Sequence, residues 1–245
     1  MRALALRRAP RASNLLFLLT VAACSAAPTQ SDVDRGRALF ESGALSSSAV
    51  NAFSCSTCHD GSVATSPVRR KPGAPLAGVT ERPSFWGGQE NDLLLSVDVC
   101  LRKFMTASEP LASADPNAIA LYAYLLSLEP GDPEPFPFSV VGAIANVPRG
   151  DAGAGQRVFE STCAPCHGAR HSGAGRLSAT IPVLPDDTLL DHAEYGAFSQ
   201  RLIFIEKIRH GVFFDYGGAM PPFSRELLSD AELADLLEAL GLLGE

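Results

Sequence analysis

Two stretches of the chain space their apolar residues at helical period. In "SADPNAIALYAYLLSL", residues 113–128, Asp115 is placed to cap a helix and Pro116 to fill its first position. Ile119, Tyr122, Leu125 and Leu126 then fall on one stripe. In "LSDAELADLLEALGLL", residues 228–243, Ser229 with Glu232 three residues on makes a capping box, and Leu233, Leu236, Leu237 and Leu240 form the stripe. Each predicts a closing amphipathic helix. Far upstream of each stands Gly-x-x-x-aromatic: Gly36 and Phe40 in "GRALF", Gly155 and Phe159 in "GQRVF", each on a predicted opening helix. Between the halves "EPGDPEPFPF" holds four prolines in ten residues, which rules out helix and central strand and leaves a semi-stiff linker. The pattern predicts an all-α, loop-rich fold in two similar halves, residues 31–129 and 148–245, joined by a linker at 130–147.

The N-terminal pattern is of another kind. Residues 1–23 hold four arginines and then an apolar run from Leu15 to Ala23, too short to span a bilayer, as in an export signal. The run ends in "VAAC" at Cys24, which resembles the bacterial lipobox, whose cysteine is acylated and becomes the first mature residue. The plain alternative is an ordinary signal peptide that happens to hold a cysteine. The expected location is the periplasm, lipid-anchored through Cys24 at the outer membrane, with residues 24–30 as a flexible tether.

Charge adds little. The chain carries −7, and losing residues 1–23, which hold no acidic residue, takes it to −11. An acidic surface argues against nucleic acid and favours a basic partner where charge steers the encounter.

Cysteine changes the picture. Of six cysteines and five histidines, four cysteines and two histidines spell one pattern twice: "CSTCH" from Cys55 to His59 and "CAPCH" from Cys163 to His167. A random chain of this composition would contain the pattern about 0.003 times. Zinc sites pair their C-x-x-C elements at short spacing, whereas Cys58 and Cys163 are far apart, and zinc has no need of a histidine at the same offset both times. A thiol–disulfide enzyme uses one pair. The pattern that demands both thiols and the adjacent imidazole is c-type haem attachment, in which Cys55, Cys58, Cys163 and Cys166 bond two haem c groups and His59 and His167 ligate iron. Export agrees, since bacterial haem attachment takes place outside the cytoplasm.

An internal repeat supports two units. Met105 and Met220, Asp115 and Asp230, and "YLLSL" and "ALGLL" share one offset of 115 residues. Phe40 lies 15 residues before Cys55 but Phe159 only 4 before Cys163, so the first half carries an eleven-residue insertion. Both halves resemble the class I cytochrome c domain, with its G-x-x-x-F, C-x-x-C-H, M-P and closing amphipathic helix. The second half matches closely through "GQRVFESTCAPCHG" and "GGAMPPFS"; in the first, Met105 has no following proline. The resemblance implies Met105 and Met220 as distal iron ligands. It also implies a proline carbonyl accepting from each proximal histidine: Pro75 in "PGAPLAGV" for His59, and Pro182 or Pro185 for His167.

Other residues are weighed beside these. Cys100, five before Met105, is a buried small hydrophobe or a rival thiolate ligand, as in related sulfur-oxidising diheme cytochromes. Arg69, Arg70 and Lys71 either pair with haem propionates or form a solvated loop. Trp86 packs on a macrocycle or in an ordinary core. His210 is expected at the surface or near a propionate, and His171 and His192 in exposed loops. The function implied is single-electron transfer between periplasmic redox partners (a reductase, an oxidase or another cytochrome), without catalytic residues. The alternative is a diheme enzyme of the thiosulfate dehydrogenase or peroxidase kind with one catalytic haem.

Overall fold

The computed structural model describes residues 28–46, 52–61, 70–131, 134–139, 141–214 and 218–243. The export signal, Cys24, the start of the tether and Arg69 lie outside the described residues. Among those described the fold is all-α. The only strand-like pairing there is an isolated bridge between Phe85 and Glu90. No helix among them is long and apolar enough to cross a membrane.

The first half opens with α1, Gln30–Glu41, capped by Thr29 and Asp32, and turns through α2, Cys55–Cys58. It continues with α3, Leu93–Lys103, and closes with α4, Pro116–Leu126. The second half opens with α5, Ala152–Val158, and turns through α6, Ala164–His167. It runs on through α7, Asp186–Asp191, and α8, Ala197–His210, and closes with α9, Asp230–Ala239. The expected caps form: Asp115 accepts from the Asn117 amide, and Ser229 and Glu232 complete their box. The longer helices α3 and α8, each ahead of a methionine, were not among the elements the pattern predicts. The Asp92 cap on the Leu95 amide was a legible signal for α3.

The repeat is visible in the helix crossings. A Cβ on Gly36 would overlap the Ala120 carbonyl oxygen and stand 2.7 Å from Tyr124 Cβ. A Cβ on Gly155 would overlap the Asp235 carbonyl oxygen and stand 2.9 Å from Ala239 Cβ. In each half the opening helix crosses the closing helix at a glycine, backbone against backbone. One turn on, Phe40 and Phe159 are buried.

The stripe predicted on α9 is buried throughout, from Leu233 to Leu240. The stripe on α4 is not. Ile119, Tyr122 and Leu126 are about half exposed, at 51%, 49% and 48%. The buried positions are Ala120 and Tyr124, where α1 crosses, and Leu121 and Leu125, which line an internal cavity. Close approach at Gly36 puts the Ala120–Tyr124 side of α4 inward, and Ile119, Tyr122 and Leu126 are left outside.

The proline-rich segment is packed down. Phe136 and Phe138 turn into the first half's cavity, the Ser139 amide donates to Glu226, and the Val141 carbonyl bonds His210 Nε2. Beneath its end, fully buried Arg201 donates to Asn146 and to the carbonyls of Val147, Pro148 and Leu242.

Candidate haem sites

Each C-x-x-C-H sequence forms one helical turn. In the second half α5 runs through a π-helical turn, Phe159–Cys163, straight into α6. In the first half the insertion separates α1 from α2. The two turns are tied to their following loops alike. The Cys58 carbonyl accepts from the Gly73 amide at 2.8 Å, and that of Cys166 from the Leu177 amide at 2.9 Å.

The imidazoles are oriented alike too. His59 Nδ1 meets the Ala74 carbonyl at 2.8 Å, and His167 Nδ1 the Pro182 carbonyl at 2.9 Å, each fifteen residues on. A carbonyl only accepts, so Nδ1 carries the hydrogen and Nε2 keeps its lone pair for a metal. Burial holds both imidazoles below the usual histidine range, which keeps them neutral. The partner of His59 is therefore Ala74 and not Pro75, whose carbonyl accepts instead from Arg82 Nη2 at 2.8 Å. In the second half the hydrogen bond from His167 decides between the two prolines in favour of Pro182.

Cys55, Cys58, His59, Cys100 and Met105 line one cavity with about 1290 Å³ of unfilled space, part of it open to solvent. Its walls are apolar, and Met105 is buried. Trp86 lines it with a buried indole Nε1 that has no partner, and packs against Phe104, Phe138 and Phe213. The second half contributes Pro221, Pro222 and Leu227 to the same wall. Burial pushes the Cys55 thiol up to about 11 and the Cys58 thiol up to about 12, and raises that of Cys100 further. Neutral thiols on one turn, an imidazole with a free Nε2 and an apolar cavity form a donor set that fits a covalent haem.

In the second half Cys163 and Met220 pack, partly buried, against the core that holds Phe159, Leu233 and Leu237. Burial pushes the Cys163 thiol up to about 12. The Val212 amide donates to the Met220 carbonyl at 2.9 Å. The two turns approach one another. Cys58 and Cys166 lie close enough for charge on one to act on the other. A cluster of Phe53, Leu101, Phe104 and Met105 packs against Cys55 from its own half and against Cys166, Leu177, Val212 and Ala219 from the other.

The remaining candidates find protein partners. Arg70 pairs with Glu232 of α9 at 2.6 Å and Lys71 with Asp60 at 2.9 Å, so both side chains are held by protein carboxylates. His210, expected at the surface or near a propionate, is not at the surface but buried between Glu206 and the Val141 carbonyl. His171 is exposed and pairs with Asp186, and His192 ends α7 beside the Tyr195 ring. Arg82, which the sequence reading did not single out, ties down the loop that carries Ala74.

The sequence comparison gives a class for the second half. Residues 150–238 match the family model for cytochrome c oxidase, cbb3-type, subunit III, so this stretch is a cytochrome c family domain. No curated protein matches the chain. Among solved structures, thiosulfate dehydrogenase (TsdBA) from Marichromatium purpuratum in its as-isolated form aligns with 88% of this chain at 17% identity and a TM-score of 0.43. The chain spans 47% of that structure's length.

Proposed function

We propose that this protein is a two-haem electron carrier of the periplasm, held to a membrane by lipid on Cys24. The observation that carries the reading is the pairing of two equivalent donor sets. In each half a helical turn presents two thiols and an imidazole whose Nδ1–H is held by a carbonyl fifteen residues on, and the two turns approach at Cys58 and Cys166. Haem bound at each turn would supply iron that cycles between Fe(II) and Fe(III).

The chain's own residues do the rest. His59 and His167 offer Nε2, and Ala74 and Pro182 fix the ring orientation. Met105 and Met220 would supply the second ligand of each iron, a thioether sulfur. Phe53, Phe104 and Trp86 keep water from the first crevice and fill the space toward the second. With a histidine and a methionine held to each iron, no open position would remain for a substrate. The partners are redox proteins: a reductase, an oxidase or another cytochrome. Pyridine-haemochrome assay with mass spectrometry of the mature protein tests the proposal. Two haems per chain and a lipidated N-terminus are expected, and one haem or none overturns it.

One observation favours a second reading. Cys100 lines the same cavity as His59 and Met105, and a thiolate on the first iron would suit a thiosulfate-oxidising enzyme. The ferric spectrum separates the two. In the electron carrier, Met105→Ala removes one of two methionine-to-iron charge-transfer contributions and Cys100→Ala leaves both. In the enzyme, Cys100→Ala abolishes a thiolate spectrum.

A further inference from the structure

The closing helix of the first half carries no charged side chain. From Pro116 to Leu126, α4 reads "PNAIALYAYLL". One side is buried against α1 and the first cavity, while on the other Ile119, Tyr122 and Leu126 stand half exposed. A helix apolar on every side is normally covered all round, and an apolar face left bare marks a surface that meets something else.

The repeat shows how the equivalent face is covered in the second half. At the offset of 115 residues Ile119 corresponds to Ala234 and Tyr122 to Leu237, and both of these are buried. The chain just ahead of α5 lies along α9 there. A Cβ on Gly150 would stand 2.3 Å from the Asp235 amide nitrogen and 2.5 Å from the Ala234 carbonyl carbon. Arg149 Nη2 reaches Glu238 at 3.1 Å, and Ile144 and Val147 join the core that holds Leu237. Gly36 and Gly155 set the opening helices at an offset of 155 − 36 = 119, so residues 144–150 correspond to 25–31. That stretch of the first half, "SAAPTQS", has no large apolar residue, and α1 begins within it, with Thr29 and Gln30 exposed. Cys24 is the residue just before it.

We infer that the face of α4 formed by Ile119, Tyr122 and Leu126 lies on the lipid surface to which Cys24 ties the chain. The inference rests on the proposed lipid at Cys24. Acyl groups there enter where the second half brings in Ile144 and Val147. Six residues take the chain from Cys24 to the start of α1, at most about 20 Å when extended. Arg35 Nη2 donates to Asn117 Oδ1 at 2.7 Å, so the early turns of α1 lie beside the first turn of α4, within reach of the anchor. Apolar side chains gain by entering the headgroup boundary, a tyrosine suits that level, and α4 has no charge to desolvate. Leu121 and Leu125, on the other side of α4, line the first cavity. The first haem site then stands about one helix diameter, roughly 10–12 Å, from the lipid.

The test is photolabelling of the mature, haem-loaded protein in phosphatidylcholine vesicles that contain a diazirine-bearing phosphatidylcholine, with adducts mapped by mass spectrometry. Adducts are expected on the tether and on Ile119, Tyr122 and Leu126, with α4 labelled several-fold more than α9. The double variant Ile119→Gln/Leu126→Gln, altered only at outward positions, should lose most of the α4 adducts and keep those of the tether. Label confined to the tether, or equal on α4 and α9, overturns the inference. So does a dimer in detergent that the double variant abolishes while α4 stays unlabelled in vesicles, since a second copy would then cover the face. If the double variant does not mature with full haem, the map of the parent protein decides alone. An intact mass without acyl groups defeats the Cys24 reading itself and is seen before any vesicle is made.

Discussion

Gly155 lies directly against the backbone carbonyl of Asp235, with no room for a side chain between α5 and α9. The same relation holds between Gly36 and Ala120 in the first half. Both crossings set the distance from an opening helix to the closing helix of its half.

Gly155→Ala should therefore destabilise the protein by about 3 kcal/mol, because the obstructing atoms are backbone and cannot rotate away. Thermal unfolding followed by circular dichroism should show a midpoint about 6–12 degrees lower. Gly36→Ala should do the same. A change below about 1 kcal/mol at both sites would mean that the helices part without cost.

Arg201 is fully buried with four acceptors around its guanidinium. Arg201→Met should cost about 3–5 kcal/mol, since it strands buried carbonyls of Val147, Pro148 and Leu242. Arg201→Lys should not rescue it, because one ammonium cannot span the same set of acceptors. Urea unfolding of the three proteins measures the difference.

On α4 the two apolar faces should behave in opposite ways. Leu121→Ala, at a position 3% exposed, should cost about 2–4 kcal/mol. Ile119→Gln and Leu126→Gln, on the half-exposed face, should stay within about 0.5 kcal/mol. Chemical denaturation of the single variants checks this.

Glu226 gives the tether of the proline-rich segment a pH dependence. Burial alone would raise its carboxyl, but bonds from the Ser139 side chain and amide outweigh it and hold the group at about 2. The folded value lies below the unfolded one of about 4.5, so the contribution is complete above that value and is lost as pH falls toward 2. Glu226→Gln should be less stable than the parent at neutral pH by a small margin, given the exposed site. The gap should close on acidification through that window, as read by acid titration of both proteins.

Much of this protein is written in local order along the chain. Two thiols and an imidazole at fixed spacing set the chemistry of each turn, because one helical turn needs no distant partner to place them. Asp115–Pro116 and Ser229 with Glu232 set where the closing helices begin, since caps act within a single turn. The halves' common plan is legible as Gly36 and Gly155, each four residues before an aromatic.

Tertiary structure decided what depends on neighbours far along the chain. Which side of α4 is buried followed from α1 pressing its glycine onto Ala120, and periodicity carries no such information. His210 is buried because the proline-rich segment, nearly seventy residues earlier, folds back over it. Arg70 found Glu232 across the halves, while Lys71 stayed beside its own turn. Such pairings exist only in three dimensions, because they depend on distance through space and not on order along the chain.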